Sequence, residues 1–268
     1  VFSLLAVWPA VCGTPAVAPV TPVMRVVNGI EAKPHSWPWQ VSMQVRTEDE
    51  NESLVTCCLA LTYNNACVCV LSAPTSWQMC FGKHHMNSSI DGPTEMCIPV
   101  VAIISHKDFV YPQIDDLSND IALVRLAKPV SMTREISPVC LPKPESLLPT
   151  GHFCYVTGWG DEKGSIIPVV AKKLNQAPLP IVSYETCSKI SYWWDSVRPS
   201  MVCAGYESPD ELKSACQGDS GGPFVCKLAA TGSLWEVHGV VSFGARGCIK
   251  DKKPSVFTRV SAFNPWIE

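Results

Sequence analysis

Residues 215–224 read ACQGDSGGPF, with Ser220 set between Gly218 on one side and Gly221 and Gly222 on the other. Glycines at this density permit a tight backbone. On such a turn the N–H groups of Gly218 and Ser220 can converge on one point, the donor arrangement that stabilises the oxyanion of acyl transfer. Taken alone, the pentapeptide GDSGG also reads as a bland glycine-rich turn. Two further stretches argue against that reading, SNDIALVRL at 118–126 and MRVVNG at 24–29.

Outward from this turn, strand-like runs recur: WQVSMQV, VTCCLALT, PVVAII, DIALVRL, CYVTGW, LWEVHGVVSF and SVFTRV, punctuated by Gly, Pro, Asn and Asp. Long amphipathic helices are scarce, and the one candidate begins near Ser261. The pattern predicts an all-β fold of barrels or sandwiches, and 268 residues with 47% apolar content suffice for one or two cores. A net charge of −3 with no basic run excludes a nucleic-acid partner. Fourteen cysteines, in no zinc-like spacing, predict a disulfide framework and hence a secreted, extracellular protein. VFSLLAVWPAV at 1–11 reads as a truncated signal peptide, too short to span a bilayer, so no membrane partner is expected. Asn51 and Asn87 open glycosylation sequons, and PAVAPVTP at 15–22 reads as an extended tether.

ACQGDSGGPF, SNDIALVRL and MRVVNG together resemble the chymotrypsin and elastase family of serine endopeptidases. SWPWQVS at 36–42, VCLP at 139–142, TGWG at 157–160, MVCAG at 201–205 and KPSVFTRVSAF at 253–263 fit the same family. WPWQV, YWWDSVRPSMVCAG and VHGVVSFGARGC are most similar to the pancreatic elastase-2 and chymotrypsin C branch. The resemblance implies two packed six-stranded antiparallel β-barrels with a short C-terminal helix. It implies an activation peptide at 12–25 and a trypsin-like protease domain at 26–268, cut short at its end. Ser220 matches the nucleophile, Asp120 the carboxylate that orients the catalytic histidine, and Ser242 the serine that bonds that carboxylate. Gly218 and Ser220 would form the oxyanion hole. Cleavage after Arg25 would free the α-amino group of Val26 to pair with Asp219 and order that loop. The implied disulfides are Cys12 with Cys140, Cys154 with Cys226, Cys187 with Cys203, and Cys216 with Cys248.

Ser214 matches the base of the specificity pocket, with Gly244 and Ser255 on its walls, so an apolar side chain is expected there. The expected partners are peptide or protein substrates, protease inhibitors and an activating trypsin-like protease, acting on a monomer. No cofactor is implied. Where calcium-binding relatives carry a carboxylate, this chain has Lys83, which can pair with Glu95, so no metal is expected.

One stretch departs from the family. Its strand leading to V-L-T-A-A-H-C supplies the general base, whereas CVCVLSAPTSW at 67–77 contains no histidine. Registered on VLSA, Thr75 stands at the base's position; an ungapped count from Thr56 places Ser72 there. The six histidines, His35, His84, His85, His106, His152 and His238, all fall in stretches that match other parts of the pattern. Six cysteines without family partners, Cys57, Cys58, Cys67, Cys69, Cys80 and Cys97, crowd the same region. If codons for Ala-Ala-His-Cys lose one base within the second alanine codon, the new frame can read Ala-Pro-Thr, as Ala73-Pro74-Thr75 does, and a second change nearby restores the later match. Three readings stay open: an active protease whose true sequence carries the histidine, a non-catalytic homologue that binds peptides or inhibitors, and the product of a decayed gene.

Overall fold

A computed structural model describes residues 12–21, 29–45, 57–60, 74–86, 88–109, 117–165, 168–206, 214–228, 234–245, 247–248 and 252–268. Among the described residues twelve strands follow one another: β1 (Ile30–Glu31), β2 (Gln40–Val45), β3 (Cys57–Ala60), β4 (Trp77–Phe81), β5 (Met96–Ser105), β6 (Ala122–Leu126), β7 (Phe153–Gly158), β8 (Asn175–Val182), β9 (Met201–Ala204), β10 (Pro223–Lys227), β11 (Trp235–Phe243) and β12 (Ser255–Arg259). In the second half the order is β8-β7-β10-β11-β12-β9, and β8 also pairs with β9, which closes a six-stranded barrel; β1 adds to the outer side of β8. Closure removes the unpaired edges that an open sheet of this length would expose. The first half holds a five-stranded sheet in the order β3-β2-β4-β5-β6.

Among the described residues the second half forms one closed six-stranded barrel of the expected pair, and the first half contributes five paired strands. The strand expected from ACVCVLSA, which would complete the first half, lies outside the described residues. The expected C-terminal helix is present as a 3-10 turn over Val260–Ala262 followed by a single turn of helix at Asn264–Ile267.

The apolar alternation of the strands decides what they bury. In β11, Trp235 and Val237 enter a core shared with Trp37, Trp39, Tyr155 and the first sheet, while Glu236 and His238 point to the opposite face. SWPWQVS supplies the seam between the halves. Trp37 packs edge-on against Trp235, with centroids 4.9 Å apart, and its indole N–H donates to Gln176 Oε1 at 2.9 Å. Thr157 donates to Gln40 Oε1 at 2.6 Å across the same seam.

Within the barrel, Phe224 and Phe257 stack at 4.3 Å, and β11 passes directly over them at Gly239. A Cβ at Gly239 would lie 2.8 Å from Phe257 Cβ and 3.2 Å from Phe224 Cβ. Gly239→Ala should therefore destabilise the fold by about 1–3 kcal/mol through overpacking, measured as a lower midpoint in chemical denaturation with an unchanged slope.

Cys12 is bonded to Cys140, Cys154 to Cys226, Cys187 to Cys203 and Cys216 to Cys248. A fifth bridge joins Cys80 to Cys97, which face each other across β4 and β5. Two of the cysteines without family partners thus pair with each other. The side chains of Cys57 and Cys58, and Cys67 and Cys69 altogether, lie outside the described residues.

Candidate active site

Strand β11 gathers the site. Val241 accepts a hydrogen bond from Gly221 N at 2.9 Å and donates to Gly222 O at 2.9 Å, which fixes the turn carrying Ser220. The next residue, Ser242, donates to Asp120 Oδ2 at 2.6 Å. Successive residues of one strand therefore hold the serine turn and the carboxylate. Gly218 and Gly221 have φ of +97° and +76°, left-handed values that explain two of the motif's three glycines.

Asp120 precedes β6, and Asn119 before it takes φ +59°, a conformation asparagine tolerates better than most residues. Thr258 on β12 donates to the Asp120 carbonyl at 2.7 Å. Burial pushes the Asp120 carboxyl above its ordinary range, and the Ser242 hydrogen bond opposes that rise. Among the described residues Ser242 supplies the carboxylate's only hydrogen bond.

None of the six histidines bonds to Asp120. His84 meets Glu31 at 3.2 Å, His85 meets Asp91 at 2.9 Å, and His238 meets Glu236 at 3.0 Å. His106 packs its ring against Phe263 and Trp266, His152 has a buried Nε2 without a partner, and His35 occupies a left-handed turn. Thr75 is exposed in a 3-10 turn over Pro74–Ser76, just before β4.

Asp219 is enclosed by backbone. Gly160 N donates to its Oδ1 at 2.8 Å and Cys216 N to its Oδ2 at 2.9 Å. A Cβ on Gly160 would lie 2.4 Å from the Asp219 carboxyl carbon, so the last glycine of TGWG is required by close approach. Burial raises the carboxyl to about 6, against the pull of those two N–H groups, and Asp161 nearby adds to the rise. A cavity of about 60 Å³ beside it is lined by Gly29, Gly160, Asp161 and Asp219. Arg25 and Val26, four and three residues before Gly29, lie outside the described residues.

Ser214, Ser255 and Gly244 come together in one wall. Ser214 Oγ and Ser255 Oγ are 3.0 Å apart, and Ala215 N donates to Ser255 Oγ at 3.0 Å. The nearest atoms to a Cβ placed on Gly244 are Ala215 O and Ser214 Oγ, both at 4.0 Å, so the space over the serine pair is open. Lys83, 3% exposed, bonds Glu95 at 2.9 Å within the β4–β5 connection. Sequence reasoning missed Thr258 and Gly160 as supports; TGWG and VFTRV were both visible, but their contacts join positions far apart in the chain.

The sequence profile of the trypsin family matches residues 26–267. The chain belongs to the trypsin family. Among curated relatives it is 43% identical to rat chymotrypsin-C over 264 residues, which is 96% of this chain and 92% of that protein. It is 40% identical to human chymotrypsin-like elastase family member 3B over 257 residues, 92% of this chain and 89% of that protein. As a member of the trypsin family, the chain has the family's trypsin-like fold. Among the described residues no helix is long and apolar enough to cross a membrane.

Proposed function

We propose that this chain is a secreted serine-endopeptidase zymogen of chymotrypsin and elastase type that, in the sequence given, binds peptides without cleaving them at a physiological rate. The observation that carries this reading is the Asp120 carboxylate, tied to Ser242 beside the Ser220 turn with no histidine bonded to it. Ser220 is the nucleophile, and Gly218 and Ser220 supply the oxyanion donors. Asp120 is the orienting group, and Thr75 occupies the place of the base. A threonine hydroxyl takes no proton near neutral pH, so the nucleophile stays protonated and attack is slow.

The same reading assigns activation to a trypsin-like protease cutting after Arg25. Gly29 already lines the cavity at Asp219, so the α-amino group of a freed Val26 has only three residues to reach it. The preceding stretch is held to the body by the Cys12–Cys140 bridge, by Gly13 N to Pro138 O at 2.9 Å and by Gln176 Nε2 to Val20 O at 2.6 Å. A cut activation peptide would remain attached.

The neutral Ser214–Ser255 pair favours apolar side chains, since a cation there would be desolvated without a counter-charge. Peptides ending in Leu or Phe should bind the cleaved chain more tightly than the same peptides ending in Arg. Ser214→Asp should reverse that preference by about tenfold or more, measured by fluorescence anisotropy. An unchanged preference in the variant would remove Ser214 from the pocket.

A second reading is favoured by Ala73-Pro74-Thr75: a frame or exon-boundary disturbance between residues 58 and 76 has replaced the histidine segment of an active enzyme. Genomic and transcript reads across this stretch separate the two. A clean in-frame Pro-Thr-Ser in both establishes the inactive homologue.

A further inference from the structure

Two atoms of the candidate active site lack a partner among the described residues. Ser220 Oγ makes no hydrogen bond there, and Asp120 accepts only at Oδ2, from Ser242, so its Oδ1 accepts none. Both residues are partly exposed, and neither atom is sealed from solvent. A hydroxyl donor and a carboxylate acceptor that no side chain joins can be joined by a ligand. A neutral imidazole suits the task, because it offers one N–H to the carboxylate and one bare nitrogen to the hydroxyl.

Strand β11 and the residue after it set where that imidazole must come from. Val241 pins the Ser220 turn, Ser242 holds Asp120, and Gly244 borders the Ser214–Ser255 pair. Ser242 and Gly244 are two residues apart, roughly 7 Å at the rise of extended chain. An extended peptide advances by about 3.3 Å per residue, so with an apolar side chain over the serine pair its neighbouring residue can bring a histidine ring to Asp120. On the N-terminal side, that histidine belongs to the acyl half of the peptide and stays bound after the amine has left. On the C-terminal side it would depart with the amine and serve only the first half of the reaction.

We propose that the chain cleaves one class of peptide, those with histidine immediately before an apolar residue at the cleaved bond, with the peptide's own imidazole as the base. This deepens the reading of Ser220 as a nucleophile without a base and depends on it. The histidine nitrogen takes the Ser220 proton as Oγ bonds the carbonyl carbon. The imidazolium, held by Asp120, passes that proton to the amine nitrogen as the C–N bond breaks. The imidazole then takes a proton from water as the water oxygen bonds the acyl carbon, and returns it to Oγ as the ester bond breaks. Only peptide and water are consumed.

The test uses the chain cleaved after Arg25 and fluorogenic peptide amides ending in His-Leu, Gln-Leu or Ala-Leu, with the affinity of each measured on Ser220→Ala. Expected is a kcat on the His-Leu amide about a hundredfold or more above the other two, the gain a positioned base supplies, at affinities within a few-fold. The rate should rise with pH through roughly 6 to 7, as the imidazole loses its proton. Ser220→Ala should abolish release, and Asp120→Asn should cut the advantage of His-Leu over Gln-Leu by about tenfold or more. Equally slow release from all three bound peptides, a pH-independent advantage, one that survives Ser220→Ala, or one undiminished in a folded Asp120→Asn would each overturn the inference and leave the peptide-binding reading standing. Fast release from all three, within about a hundredfold of rat chymotrypsin-C, would instead overturn the reading on which it rests, as would binding of none.

Discussion

Replacing residues 57–76 with the histidine-bearing segment of a family member is expected to raise the turnover of the cleaved chain by about a millionfold, on the order of 8 kcal/mol. The expectation rests on parts already in place. Asp120 is held by Ser242 at 2.6 Å and by Thr258 at 2.7 Å, and the Ser220 turn is pinned to the same strand. A general base added beside Asp120 would accept the Ser220 proton, and its cation would be stabilised by that carboxylate. The gain should appear with a pH profile rising through roughly 6 to 7, the range of an imidazole, which a purely structural repair would not produce. The single substitutions Thr75→His and Ser72→His separate the two registers. Recovery in the first alone would establish that VLSA keeps the family's alignment. A segment replacement that folds and still gives no gain would mean that Ser220 and Asp120 are not poised.

The second large effect concerns Asp219. In the uncleaved chain its carboxyl titrates at about 6, against an ordinary value of 3.8. The folded state therefore holds a proton that the unfolded state has lost throughout that window. Stability must fall as pH rises from 3.8 to about 6, by up to about 3 kcal/mol from this group, and stay reduced above it. Urea denaturation across pH 4 to 7 should show this loss in the uncleaved chain, and Asp219→Asn should remove that part of the slope. Asp120, also raised by burial, contributes in the same direction and remains in both proteins, so the difference between them isolates Asp219. After cleavage at Arg25, an α-ammonium at Asp219 would lower its pKa and reverse the sign, giving stability lost as pH falls. An identical pH slope before and after cleavage would mean that Val26 does not reach Asp219.

The parts of this molecule that were legible in its sequence are those carried by short contiguous signals. GDSGG fixed a turn because Gly218 and Gly221 need left-handed backbone, and LWEVHGVVSF and SVFTRV announced the paired strands β11 and β12, which are buried on both faces. The approach of Ser242 to Asp120, and of Lys83 to Glu95, followed from resemblance and appears in the geometry. The Cys80–Cys97 bridge was not legible. Six cysteines without family partners allow about fifteen pairings, and only the register that sets Cys80 opposite Cys97 chooses between them. Gly239 gave no signal either, since its requirement comes from two phenylalanines on neighbouring strands. Closure of the first half depends on a stretch, 66–73, whose pattern reads as a strand and which lies outside the described residues.

The central claim is that a trypsin-family site with serine, carboxylate and apolar pocket assembled lacks only its base. The most direct measurement is kcat/KM of the chain cleaved after Arg25, on a substrate with Leu or Phe at the cleaved position, beside rat chymotrypsin-C under the same conditions. The predicted value lies about 10⁵ to 10⁶ below the relative. A value within about a hundredfold of it would contradict the account.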